Sequence, residues 1–205
     1  MKAGIPDSAA LQLDLPELRR RLATRSPPEF AVFGDDGTEG RDAASTAAAV
    51  LIPVISHPEL TVLFTQRTPH LKSHAGQVSF PGGRAEPGDA SLEFTALRET
   101  EEEIGLRPAG VEVLARLPDY RTRTGFRVTP VVGWAEPPLV YRPDPREVDS
   151  VFEVPLAFLL DPRNRQRRTR EFQGLTVGYY VFEYQDRVIW GATAGMLVNL
   201  YRMLE

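Results

Sequence analysis

With 205 residues, 42% hydrophobic and 25% charged, the chain has the make-up of a soluble globular protein large enough to bury a core without covalent staples. It has no cysteine, which excludes disulfides, thiolate catalysis and thiolate-ligated zinc, and its net charge of −4 argues against a general nucleic-acid binder. The N-terminal residues carry no apolar signal-peptide core, and no run approaches the ~20 apolar residues that span a bilayer. The expectation is therefore a cytoplasmic enzyme or binding protein, one domain over residues 1–205 with residues 1–45 as an N-terminal helical and loop extension.

Leu15, Leu18 and Leu22 recur at helical spacing and predict an N-terminal helix. Residues 26–45, rich in proline, glycine and acid, read as a loop. Two apolar runs, 47–55 and 60–67, read as strands joined by the turn Ser56-His57-Pro58-Glu59, and 77–80 as a short strand. A helix is expected over 91–104, with Ser91 as N-cap, Asp89 near its positive end and Gly105 as its stop. Strands follow at 111–117 and 129–135, then a short helix at 155–160. Residues 163–170 hold five arginines and read as a solvated loop, with steering of an anionic substrate as the alternative. Residues 175–191 read as a hairpin turning near Gln185 and Asp186, and 192–204 as a closing amphipathic helix. Hairpins mixed with helices, and few regular βαβ units, predict an α/β (α+β) fold with a mixed sheet flanked by helices.

The helix at 91–104 carries the chemistry. At about 100° per residue Glu99, Glu102 and Glu103 share one face, while Leu97, Thr100 and Ile104 lie towards the other. Like charges three and four residues apart cost roughly 0.2–0.5 kcal/mol per pair on an exposed helix. A solvated acidic face is the plain alternative, but a divalent cation with hard oxygen ligands, Mg2+ or Mn2+, reverses the balance. Gly82 and Gly83 just upstream let backbone approach a ligand and leave a carbonyl free, and Arg98 can hold a carboxylate by a bidentate pair.

From Gly83 through Arg98-Glu99-Thr100-Glu101-Glu102-Glu103-Ile104-Gly105-Leu106 the residues resemble the Nudix box of diphosphate hydrolases, Gly-x5-Glu-x7-Arg-Glu-U-x-Glu-Glu-x-Gly-U with U apolar. The chain departs from it at Asp89, where the box has Glu, at the eight residues between Asp89 and Arg98, and at Thr100 in an apolar place. Residues 63–83, LFTQRTPHLKSHAGQVSFPGG, resemble the signature of the coenzyme A pyrophosphatase branch, with Phe64, Thr68 and Lys72 at variant places. The longer spacing before Arg98 is similar to that branch, and IWGATAGML near the C-terminus looks similar too.

The resemblance implies a Nudix fold, an α/β/α sandwich whose box forms a loop-helix-loop. It also implies cleavage of coenzyme A, or an acyl or oxidised derivative, to 4′-phosphopantetheine and adenosine 3′,5′-bisphosphate. Glu99 and Glu103 are then the main metal ligands, with Glu102 as a third ligand or water-orienting group, the Gly83 carbonyl completing the shell and Arg98 orienting carboxylates. Arg67, Lys72 and Gly82 are the expected substrate contacts. Glu147 and Asp149 are candidates by position for a general base on a later loop, beside the plain reading of a loop before a core strand. His70 and His74 read as loop residues, and Trp190 with the tyrosines of GYYVFEY as core or sheet-face residues. Two rival readings stay open: a Nudix pyrophosphatase for ADP-ribose, NADH or dinucleoside polyphosphates, and a non-catalytic nucleotide-sensing module.

Overall fold

The computed structural model describes residues 11–24, 45–71, 74–172 and 174–205; Lys72 and residues 25–44 of the expected N-terminal loop lie outside them. Strand β1 (Thr46–Ile55) runs parallel to β7 (Phe126–Ala135) over ten paired positions. On its other side β1 pairs antiparallel with β2 (Thr61–Arg67) and, through Ala48, Ala49 and Val50, with the short β4 (Gly82–Arg84). Strand β2 carries β3 (Val78–Ser79) and β8 (Val148–Pro155), while β7 carries β5 (Val111–Arg116) and β6 (Tyr120–Arg121). The result is the expected mixed sheet, here of eight strands.

Both faces of β1 are buried, which is why its sequence runs apolar instead of alternating. Leu51 and Ile55 face Ala96 and Ile104 of α2 (Leu92–Ile104). Ile52 and Val54 face the opposite way, into a core shared with Leu18 and Leu22 of α1 (Leu15–Thr24) and Leu197 and Val198 of α4 (Ala192–Leu204). Helices therefore cover the sheet on both sides, as in the expected sandwich. The short α3 (Leu156–Leu160) follows β8 directly.

A second, three-stranded sheet was not anticipated in full. The hairpin of β10 (Leu175–Tyr184) and β11 (Arg187–Trp190) turns as expected at Gln185 and Asp186, but β9 (Arg165–Phe172) joins it where a solvated loop was expected. The arginines belong to a strand because their guanidinium groups find aromatic rings. Arg165 lies over Tyr201 at 5.0 Å, Arg167 over Tyr180 at 5.5 Å, and Arg170 over Tyr179 and Trp190 at 5.8 and 5.5 Å. Such contacts lay the arginine stems along ring faces while Arg167 and Arg170 stay exposed to water.

Candidate active site

The glycine pair is moulded between strand and helix. Gly82 sits opposite Val50 at φ +149, and a Cβ there would lie 2.4 Å from the Ala49 carbonyl oxygen. A Cβ on Gly83 would lie 2.4 Å from the Glu99 carboxylate. The two positions thus reject a side chain for different reasons, one against backbone and one against an acid.

Helix α2 begins at Ser91, whose hydroxyl accepts the Phe94 N–H at 3.1 Å, and stops at left-handed Gly105, whose N–H donates to the Glu101 carbonyl at 2.8 Å. Thr100, in a place where the family pattern is apolar, is fully buried and donates its hydroxyl to the Ala96 carbonyl at 2.6 Å. The acidic face then divides by depth. The side chain of Glu102 is 60% exposed and that of Glu99 19%, whereas Glu103 is buried at 6%. Gly82 donates its N–H to Glu103 Oε2 at 3.1 Å, and Arg67 Nη1 stands 3.8 Å from Oε1.

Arg98 joins most of these groups. Its Nε and Nη2 donate to the two oxygens of Asp89, each at 3.0 Å, and Nη2 also donates to the Arg84 carbonyl at 3.1 Å. Its Nη1 lies 3.1 Å from Glu99 Oε1 and 3.2 Å from Glu102 Oε2. Asp89 additionally accepts the Glu86 N–H and the Thr95 hydroxyl. The Arg98 guanidinium holds the Asp89 carboxyl well below its usual range, and Asp89 pushes Arg98 up in return.

Burial pushes Glu103 up to about 8, against the pull of the Gly82 N–H and Arg67, with the charges of Glu147 and Glu99 adding to the rise. Burial also raises Glu99, helped by the charges of Glu102 and Glu147 and opposed by Arg98. Of the two carboxylates expected on a later loop, Glu147 lies in the loop before β8 and its charge adds to the rise of both Glu99 and Glu103, whereas Asp149 falls within β8 itself. The Glu147 carbonyl accepts the Thr68 N–H at 2.9 Å, which fixes this loop beside the end of β2.

A model of the family described as NUDIX domain matches residues 45–178. The chain belongs to the NUDIX domain family. A protein named "Uncharacterized Nudix hydrolase NudL" in Escherichia coli O1:K1 is 44% identical over 153 residues, 75% of this chain and 80% of that one, and one of the same name in Shigella boydii serotype 18 matches equally. Among solved structures, a MutT/nudix family protein from Enterococcus faecalis gives a TM-score of 0.49 at 17% identity over 93% of this chain and 68% of that one. The Nudix hydrolase RenU from M. smegmatis gives 0.44 at 25% identity over 57% and 74%.

Nudix hydrolases generally use divalent metal ions. The donor set here fits one chemically: hard carboxylate oxygens, two of them raised by burial and mutual repulsion, so that a cation relieves a charge the fold alone leaves costly. Among the described residues no group of three acidic side chains is placed to hold a metal ion, and Arg98 lies against both Glu99 and Glu102. Arg67 Nε is buried with no hydrogen-bond partner among the described residues, which leaves a donor beside Glu103 for a substrate oxygen.

Gly82 and Arg67 also line a cavity of about 410 Å³, to whose lining α2 contributes no residue. Val78, Phe80, Val128, Val177 and Met196 give it an apolar wall. Trp190 and Tyr179, expected in the core or on a sheet face, lie on one face of the β10–β11 sheet, and that face lines the cavity. Arg123 and Arg170 line it too. Sequence reasoning passed over Arg123 entirely: one arginine in the turn before β7 carries no periodic or motif signal.

Proposed function

We propose that the chain hydrolyses the diphosphate bond of coenzyme A, or of a CoA derivative, to 4′-phosphopantetheine and adenosine 3′,5′-bisphosphate, with Mg2+ or Mn2+ as cofactor. The observation that carries the reading is where the CoA-branch signature falls in space. Its Arg67 and Gly82 meet Glu103, and its last residue, Gly83, lies against Glu99, so recognition motif and acidic face form one continuous wall. The reading also rests on a cavity that adjoins that wall and has arginines but, among the described residues, no carboxylate in its lining.

In this mechanism Glu99, Glu102, Glu103 and the Gly83 carbonyl would hold the ion, which would supply charge neutralisation for the phosphoryl oxygens. Arg98, clamped by Asp89, sets the directions of Glu99 and Glu102. Arg67 offers its guanidinium to a diphosphate oxygen at the cavity mouth. Glu147 takes the proton from the water that attacks phosphorus, the P–O bond of the diphosphate breaks, and the leaving phosphate departs as a monoester. Gly82 admits the substrate close to backbone.

The substrate is small and soluble, and no helix among the described residues is long and apolar enough to cross a membrane. The test is incubation with CoA and Mg2+ or Mn2+, with and without chelator, reading products by mass, beside NADH, ADP-ribose and diadenosine tetraphosphate. Metal-dependent 4′-phosphopantetheine is the expected product. Faster turnover of any of the other three assigns the substrate elsewhere, and binding with no turnover supports a sensing module.

A further inference from the structure

The candidate base is placed by its backbone. The Glu147 side chain is exposed and makes no hydrogen bond among the described residues, so the turn that carries it decides where its carboxylate stands. Asp144-Pro145-Arg146-Glu147 is a tight turn, closed by the Glu147 N–H on the Asp144 carbonyl at 3.0 Å. Proline stands in its second place, where a fixed φ suits such a turn. The Asp144 carboxylate accepts the Arg146 N–H at 2.9 Å and stiffens the turn from within.

Both ends of the turn are tied to the site. At the near end the Asp144 N–H donates to the Glu103 carbonyl at 2.9 Å, so the turn hangs from the backbone of the buried acid. At the far end Thr68 holds it twice: its N–H donates to the Glu147 carbonyl at 2.9 Å, and its hydroxyl donates to the Arg146 carbonyl at 3.3 Å. Thr68 is itself buried and directly follows β2. Its neighbour Arg67 faces Glu103 at 3.8 Å. The contacts thus close a ring from Glu103 through Asp144, Glu147, Thr68 and Arg67 back to Glu103. An irregularity in the pairing of β2 with β8 lies at this place. Gln66 pairs with Ser150 and Arg67 with Val148, so Asp149 is passed over. A bulge of this kind re-aims the residues beside it.

We infer that Thr68 is a positioning residue for the reaction: its hydroxyl, on the Arg146 carbonyl, fixes the Glu147 carboxylate relative to Glu99 and Glu103. One backbone bond from the Thr68 N–H leaves the turn free to pivot, and the second contact removes that freedom. A carboxylate that must meet a water held beside the acidic face loses rate when its direction is loose. The inference rests on Glu147 as the base proposed above, but not on CoA as the substrate. A hydroxyl with a purely architectural role would change stability and leave the work of Glu147 untouched.

The test is steady-state kinetics of the full chain with Mg2+ and CoA, or with whichever of ADP-ribose, NADH and diadenosine tetraphosphate is turned over in its place. Thr68→Val keeps the shape and removes the hydroxyl. It should lower kcat about 5- to 20-fold with KM within about twofold of the wild type, while Thr68→Ser should keep at least about half of kcat. In a Glu147→Gln background Thr68→Val should change kcat by less than about twofold, because the group it positions has lost its function. Thr68→Ala repeats the measurement if Thr68→Val fails to fold. Equal fractional losses in the two backgrounds overturn the inference. So does a wild-type kcat in Thr68→Val, or a loss in Thr68→Ser as large as in Thr68→Val. Non-additive losses on ADP-ribose with no cleavage of CoA sink the CoA reading and leave the role of Thr68 standing. CoA cleavage with additive losses sinks the role of Thr68 and leaves the reaction.

Discussion

Asp89 and Arg98 form a two-pronged clamp, Nε to Oδ1 and Nη2 to Oδ2, both at 3.0 Å, across the nine positions that separate them. The clamp explains how a shorter acid and a longer spacing serve the same end. The extra residue brings Asp89 over the first turn of α2, where the Thr95 hydroxyl also reaches it. Asp89→Asn should keep the shape and lose the charge. Without its anchor Arg98 no longer sets the directions of Glu99 and Glu102, and kcat/KM should fall about 10- to 100-fold, with weaker metal binding. Steady-state kinetics across a metal titration checks this. An unchanged metal dependence would make the clamp purely architectural.

The two glycines should fail differently. Gly83→Ala puts a methyl where the Glu99 carboxylate now lies, so turnover should drop at least tenfold while the melting temperature stays near that of the wild type. Gly82→Ala meets the Ala49 carbonyl at a φ that L residues avoid, and should cost about 1–3 kcal/mol of stability. Thermal melts beside activity assays separate the two patterns.

Glu103 gives a pH dependence with a definite sign. Its folded pKa, about 8, lies above the 4.5 of an ordinary glutamate, so the folded state binds the proton more tightly than the unfolded state. The metal-free protein should therefore lose stability as pH rises from about 4.5 to about 8, by on the order of 5 kcal/mol, and change little from this source beyond that range. Glu103→Gln should remove most of that slope and also most of the turnover. Denaturant melts at several pH values with chelator present measure it; equal slopes in wild type and variant would refute the assignment.

Glu147 and Asp149 can be told apart by kinetics. Glu147→Gln should lower kcat by about 100-fold or more and flatten the acidic limb of the pH–rate profile, as removal of a general base does. Asp149→Asn should lie within about threefold of the wild type, since Asp149 is an exposed residue of β8, next to the buried Val148. A reversed order would move the base to Asp149.

Much of this site was legible in the sequence because its signals are local. Ser91, Gly105 and the spacing of Glu99, Glu102 and Glu103 gave the helix, its ends and its acidic face, and the glycine pair gave the turn. What stayed hidden depends on contacts between distant segments. The arginine run looked like loop because its polarity was plain, while the rings that make it a strand come from β10, β11 and α4. Trp190 and Tyr179 read as core or sheet-face residues because an aromatic in a strand usually is one or the other, and only the cavity beside that face makes them a wall. The burial of Glu103, against the exposure of its neighbour Glu102, follows from the Gly82 turn folding over one carboxylate and not the other.

The parallel pairing of β1 with β7 has a consequence for how the molecule is made. Thr46 and Phe126 are eighty positions apart, and the ten-residue ladder they begin is held in one register. The glycine pair hangs on the opposite edge of β1, so its final position waits for a strand synthesised long after it. Loop closure of that length is slow, and parallel strands fold late relative to local helices. Chains stopped before Ala135 should hold α2 and its acids without the cleft that gives them work, and refolding should restore helicity well before it restores activity.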